Sequence, residues 1–319
     1  MRILVTGASG LLGVNLALEA ARQHQVIGIA NQHAIRTNVF EVRSFDLLAG
    51  ADPGSRLVEN LLADVNPDWV IHCAALANMD VCELEPEQAR KINVEIPRRL
   101  AQGVRQAQAY HPGARLLHVS TDAVFDGQRP RSQGGYLEED QPNPMGVYAQ
   151  TKLQAERAVL EADPSALVAR VNLMGWSISG KRSLAEFFYT NLKAGSPVRG
   201  FDDVYFCPLL VNDLAHIFLN MLEQGLSGLY HVFSRDTTSK YDFGVAVARR
   251  FGFDPGLITP VSVQAANLSA ARSPNLVMRT DKLSHALARP LPSWREGLDK
   301  FFDLHASGYP QTLFEMSVQ

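Results

Sequence analysis

The chain has 319 residues, 46% apolar and 20% charged, which supplies a sizeable core and excludes general disorder. Thirty basic against thirty-three acidic residues leave a formal net charge of −3, so nothing draws the chain to nucleic acid or an anionic membrane. Cys73, Cys82 and Cys207 form neither an even set nor a C-x-x-C pair, which argues against a disulfide framework or a cysteine-based zinc site and for a reducing cytoplasm.

Arg2 to Thr6 is a short, β-branched apolar run that stops at Gly7, the pattern of a buried parallel strand. Its early interruption by glycine speaks against a signal peptide, and no later apolar run approaches the ~20 residues of a membrane helix. Val14 to Arg22 has helical spacing and Val26 to Ala30 returns as a strand, which completes a βαβ unit. Leu57 to Val65 reads as a helix, Trp69 to Ala75 as a strand, and Pro86 to Ala109 as one long helix with proline in its first turn. Leu116 to Ser120 (strand), Val147 to Glu161 (helix) and Ala166 to Val171 (strand) continue the series. This alternation predicts an α/β fold, a doubly wound parallel sheet of the Rossmann type. Beyond Asn172 the rhythm loosens. Helices are expected at Leu184 to Ala194, Asn212 to Glu223 and Tyr241 to Phe251, with a strand at Gly228 to Phe233. The chain thus reads as a dinucleotide-binding domain over 1–172, to which 209–233 return, and a smaller mixed C-terminal substrate lobe over 173–319.

Gly7, Gly10 and Gly13 stand three apart between the first strand and the first helix. In such a turn the first glycine permits the bend, the second lets a pyrophosphate approach the backbone, and the third allows close helix–strand packing. The helix start then offers free N–H groups and a positive dipole end. Leu12-Gly13-Val14 lacks the Gly-Lys-Ser/Thr of a triphosphate loop. At the end of the second strand, where an acid would favour NAD, the chain has Ala30-Asn31-Gln32-His33. A 2′-phosphate would meet no repulsion there and His33 or Arg36 is near in sequence, so NADP(H) is favoured over NAD(H).

Ser120-Thr121-Asp122 follow the strand that ends at Val119, and Tyr148 and Lys152 stand at i and i+4 near the start of a helix. That spacing puts a phenol and an ammonium on one face. A neighbouring cation is expected to lower the phenol's pKa from its ordinary ~10 toward a range useful for proton transfer. Thr121 is placed to hydrogen-bond the same substrate oxygen.

These residues resemble the extended short-chain dehydrogenase/reductases, and within them the branch containing dTDP-4-dehydrorhamnose reductase. Gly7 to Gly13, with Leu11 and Leu12 between, matches the family's glycine loop, and Ser120-Thr121-Asp122-Ala123-Val124-Phe125-Asp126-Gly127 is similar to the branch's S-T-D-x-V-F-D-G. By resemblance Thr121, Tyr148 and Lys152 are the catalytic set, Asp46 and Leu47 contact the adenine, and Ala74, Ala75, Leu76 and Asn93 line the cofactor channel. Arg272-Ser273-Pro274-Asn275 resembles an R-P-x-N motif near the substrate site, which, with Asp122, Val171 and Asn172, is expected to bind substrate. Ser273 replaces the family's proline, Ala123 replaces an aromatic residue, and Arg131 to Gly135 looks like an insertion. The resemblance implies an NADP(H)-dependent reductase of a nucleotide-activated 4-keto sugar, compatible with a homodimer; it names no metal-ligating residues and does not decide a metal requirement. A nucleotide-sugar epimerase or dehydratase is the alternative chemistry. A non-catalytic NADP-binding protein similar to the regulatory subunit of methionine adenosyltransferase is the alternative class.

Other patterns have simpler readings. Asp122 and Asp126 suggest paired carboxylates for glycoside hydrolysis, but Asp126-Gly127 is a turn. The nine histidines include no H-E-x-x-H, and His72 and Cys73 lie in an apolar strand. Phe187, Phe188 and Tyr189 have no basic patch beside them for nucleic acid.

Overall fold

The computed structural model describes residues 1–31, 33–52, 54–266 and 273–318. The first half runs β1 (Arg2–Thr6), α1 (Leu11–Ala20), β2 (Gln25–Ala30), β3 (Glu41–Ser44), α2 (Leu47–Gly50), α3 (Leu57–Val65), β4 (Trp69–His72), α4 (Met79–Leu84), α5 (Pro86–Arg90), α6 (Ile96–Ala107), β5 (Arg115–Thr121), α7 (Gly146–Ala162) and β6 (Leu167–Val171). The second half adds β7 (Leu173–Met174), α8 (Leu184–Lys193), β8 (Val198–Phe201), β9 (Tyr205–Phe206), β10 (Leu209–Leu210), α9 (Val211–Glu223), β11 (Gly228–Val232), β12 (Thr238–Ser239), α10 (Lys240–Phe251), β13 (Ile258–Val261), α11 (Asp281–Ala286), α12 (Trp294–Ala306) and α13 (Tyr309–Glu315).

Seven strands form one parallel sheet in the order β11-β6-β5-β4-β1-β2-β3. The order reverses between β1 and β4, which opens a crevice at the carboxyl ends of these strands. Helices cover both faces. One apolar layer lies between the sheet and α1 and α9 and extends to α8, α10 and α12, and a second joins the sheet to α3, α6 and α7. Strand β11 comes from far along the chain and pairs in register with β6, Leu229 beside Val168 and His231 beside Arg170. Among the described residues no helix is long and apolar enough to cross a membrane.

Two elements differ from the sequence reading. The strand expected to reach Ala75 ends at His72, because the chain must peel away where the backbone of Ala74 packs against Gly7. The long helix over 86–109 is interrupted at Lys91–Glu95 by a π turn, in which the Ile96 N–H reaches back to Lys91 O. Pro97 explains it. Proline has no N–H for the carbonyl of Asn93 and its ring crowds that turn, so the helix widens locally.

Candidate active site

The glycine turn is built as its spacing requires. Gly7 has φ +71°, in the left-handed region, and accepts a hydrogen bond from Gly10 N at 2.8 Å. A Cβ on Gly13 would lie 2.1 Å from Gly7 O, so only glycine lets α1 sit this close to the end of β1. A Cβ on Gly10 would meet Gly7 O alone, at 3.1 Å, and would otherwise face open space. Gly10 precedes α1 with no side-chain cap, and the first turn carries no acid. The first N–H groups of the helix are therefore free for an anion, and the cradle fits a dinucleotide pyrophosphate.

A cleft of about 890 Å³ opens over this turn. Gly7, Gly10, Leu11, Leu12 and Gly13 form its floor, and Ala74, Ala75 and Leu76 one wall. Asn31, His33, Asp46 and Leu47 line its other end, past the carboxyl ends of β2 and β3. Asp46 caps α2 by accepting from Leu48 N at 2.9 Å, and Asn31 Nδ2 donates to the same Asp46 oxygen at 3.3 Å. Asp46, the acid expected by resemblance to contact the adenine, therefore stands beside the second strand, brought there by β3, a strand the sequence reading missed. Asn93 is absent from the cleft wall. It stands in the π turn behind Leu76, accepting from Leu76 N at 2.8 Å and donating to Leu76 O at 3.1 Å and Thr151 Oγ1 at 3.0 Å. It thereby fastens the cofactor wall to the helix that carries Tyr148.

Thr121, Asp122, Tyr148, Lys152, Val171 and Asn172 all line the same cleft. Thr121 ends β5, and its hydroxyl donates to Asp122 Oδ1 at 3.2 Å and accepts from Ala123 N at 3.2 Å. Asn172 Nδ2 donates to Asp122 Oδ2 at 2.6 Å. Burial pushes the Asp122 carboxyl up to about 6, and the Asn172 and Thr121 contacts hold it from rising further. Glu83 of α4 accepts from Val147 N at 2.7 Å and so caps the N-terminus of α7 from outside. Tyr148 and Lys152 then follow on one face, as the spacing predicts.

The electrostatics reverse one expectation. The Tyr148 phenol is pushed up to about 12, first by burial and then by Asp122, with the Thr121 side chain opposing. Lys152 does not lower it, because the ammonium turns to β5. It donates to Val119 O at 2.6 Å and stands 3.3 Å from His118 Nε2. Burial lowers Lys152 to about 8, with Glu156 and Cys73 opposing. The phenol is neutral at neutral pH, the form that can donate a proton.

On the substrate side, Asn275 lies outside the cleft wall. Its Nδ2 donates to Arg129 O at 2.6 Å while its Oδ1 has no partner among the described residues. Ser273, Asn275 and Pro274 crowd Gly127, whose φ of +73° is one that side-chain-bearing residues rarely adopt. This segment thus braces the turn after Phe125. Arg272 lies outside the described residues. The stretch Arg131 to Gly135 holds a short 3₁₀ turn, and Arg131 stacks over the Tyr205 ring at 3.8 Å.

Three features were not read from the sequence. Arg182 lines the cleft, exposed, on a loop whose backbone wraps the buried Glu186 carboxylate through Ser177 N, Arg182 N and Ser183 N. Below Tyr148 and Lys152, Glu156 pairs with Arg170 at 2.7 and 2.9 Å and accepts from Ser120 at 2.5 Å, all buried. The 148-152-156 spacing was the available signal. His118 and His72 lie stacked under Lys152, with ring centroids 5.4 Å apart.

A parallel sheet in this order, a glycine turn at its switch point and a Tyr-x-x-x-Lys helix facing it define the extended short-chain dehydrogenase/reductase class. The family model described as the RmlD substrate binding domain matches residues 1–306, and the chain belongs to that family. It is 32% identical over 303 residues to a dTDP-4-dehydrorhamnose reductase of Mycobacterium tuberculosis, covering 93% of this chain and 91% of that one. It is 30% identical over 269 residues to methionine adenosyltransferase 2 subunit beta of Bos taurus, covering 82% of this chain and 75% of that one. A crystal structure of dTDP-4-dehydrorhamnose reductase from Bacillus anthracis in complex with NADP superposes with a TM-score of 0.78 at 26% identity, over 95% of this chain and 98% of that one.

Proposed function

We propose that this protein is an NADP(H)-dependent reductase of a nucleotide-activated 4-keto sugar, with a dTDP sugar the first substrate to try. The carrying observation is a neutral Tyr148 phenol beside Thr121, in one cleft with Lys152 and the uncapped first turn of α1. The glycine turn and α1 hold the pyrophosphate, and Asn31 and Asp46 face the adenosine. Lys152 holds the ribose below. When bound, the dihydronicotinamide supplies hydride to the carbonyl carbon. Thr121 fixes the carbonyl oxygen and Tyr148 gives it the proton, a contribution of ~10²–10⁴ in rate. Asp122, held by Asn172, together with Val171 forms the substrate side.

The test is NADPH oxidation followed by absorbance with a dTDP-4-keto-6-deoxy sugar, together with calorimetric Kd values for NADPH and NADH. Turnover with tighter NADPH binding supports the reading, and tight NADPH binding without turnover on any 4-keto sugar nucleotide refutes it. That second result would favour a regulatory, non-catalytic subunit, a reading supported by the similarity to methionine adenosyltransferase 2 subunit beta.

A further inference from the structure

Beneath the catalytic helix the sheet carries a row of polar side chains where an apolar core is expected. Thr6, His72 and His118 stand in register on β1, β4 and β5, each essentially without solvent exposure. Thr6 Oγ1 and His72 Nδ1 are 2.6 Å apart. His118 Nε2 is 3.3 Å from Lys152 Nζ, and its other nitrogen, Nδ1, has no partner among the described residues. A leucine would fill this space with no orphaned nitrogen. A buried polar atom without a partner is costly, and such an atom in a native site calls for a functional account.

The geometry of the ammonium supplies one. Lysine presents three N–H donors at tetrahedral angles and accepts nothing. Val119 O takes one at 2.6 Å and His118 Nε2 stands to take a second. Both come from β5, so the third donor points away from the strand, toward the cleft that Lys152 lines. His118 can accept only as a neutral imidazole with its proton on Nδ1, and burial and the Lys152 charge keep it neutral. The other groups facing the amine do not substitute for it. Glu156 is engaged by Arg170 and Ser120, the Cys73 thiol is pushed up to about 12, and His72 is held near 3.

We propose that His118 is a positioning residue for Lys152: its neutral Nε2 accepts from the buried ammonium, keeps it charged and aims its remaining N–H at the bound cofactor. The last part rests on the reading of Lys152 as the ribose-holding group. The effect on charge does not.

The test follows the Lys152 side chain by NMR against pH in the free protein, with selectively labelled lysine and Lys152→Arg to assign the signal. The wild-type amine is expected to titrate near 8. In His118→Leu the amine loses an acceptor, and its titration midpoint falls about tenfold in proton affinity, to near pH 7. His118→Gln, whose amide oxygen reaches about as far as Nε2, restores the wild-type midpoint. If the leucine variant does not fold, His118→Met serves as the apolar replacement. The pH dependence of NADPH affinity moves in parallel: affinity is present below the amine's midpoint and lost as pH rises through it, so the apolar variants lose it about one pH unit earlier. An apolar variant that titrates as wild type, or a glutamine variant that behaves as leucine, overturns the proposal. A wild-type protein that does not bind NADPH refutes the functional reading instead, while the NMR titration still decides the His118–Lys152 contact.

Discussion

Two glycines three residues apart should fail in different ways when each is given a methyl group. A Cβ on Gly13 would lie 2.1 Å from Gly7 O, 2.7 Å from Gly7 C and 3.0 Å from Ala8 Cα, all backbone atoms with no rotamer to yield. The closest contact is about 1 Å short of van der Waals distance, so α1 must move off the end of β1. Overpacking of this kind costs about 1–3 kcal/mol, and replacing a helical glycine by alanine returns roughly 1. With a backbone contact this short at the upper end of that range, the net loss of about 2 kcal/mol predicts a melting temperature about 3 °C lower for Gly13→Ala. The Gly10 methyl meets only one protein atom, at 3.1 Å. Gly10→Ala should therefore melt within about 2 °C of wild type while its methyl stands in the pyrophosphate's path. A tenfold weaker Kd is about 1.4 kcal/mol. With NADPH at 100 times the wild-type Kd, ligand stabilisation of about 2.7 kcal/mol should roughly halve. The assay is thermal unfolding of the three proteins with and without NADPH, backed by calorimetric Kd values. Wild-type affinity in Gly10→Ala would mean that the pyrophosphate does not lie over this turn. An unshifted melting point for Gly13→Ala would refute the close helix–strand contact.

Tyr148→Phe removes the proton donor alone, so kcat should fall ~10²–10⁴-fold with NADPH affinity unchanged by calorimetry. Asn31→Asp replaces an amide that donates to Asp46 with a second carboxylate. It should repel a 2′-phosphate and shift the NADPH/NADH Kd ratio toward NADH by about tenfold, reduced at higher ionic strength. Glu156→Gln leaves the Arg170 guanidinium, 2% exposed, without its counter-charge. Chemical denaturation should show a loss of about 3 kcal/mol, and a neutral result would mean that His231, which Arg170 meets at 3.3 Å, satisfies the guanidinium without the acid.

Where local rules and tertiary structure agreed, the sequence was legible. The first strand ends where an apolar run meets Gly7, and α7 and α9 fall within a residue or two of the positions their apolar spacing predicts. The glycine turn, Thr121, Tyr148 and Lys152 are all local motifs, and the fold brings them to one cleft. What was missed depends on groups far apart in the chain. Nothing near Lys152 announces that Val119 and His118 will receive its protons, so the expected lowering of the Tyr148 pKa was drawn from spacing alone. Asp46 reaches Asn31 only because β3, a short and mostly polar strand, pairs with β2. Helix α12 is a different omission. Its Ser293–Glu296 capping box and the spacing of Trp294, Leu298 and Phe301 are local signals, obscured by the charged residues between them.

Strand β11 has a consequence for how the molecule is made. Among the described residues the outer edge of β6 pairs with 228–232 alone, which leave a ribosome well after β6 itself. Until they arrive, a buried-type parallel strand stands with a row of unpaired N–H and C=O groups, the template on which chains aggregate. Arg170 likewise has Glu156 nearby from the start but must wait for His231, which it meets at 3.3 Å. Pairing across so long a stretch of chain is slow. The nucleotide-holding layer is therefore finished by a segment translated after α8 and α9, and a nascent chain stalled before that point carries every residue of the glycine turn and the Tyr148–Lys152 pair on an incomplete sheet.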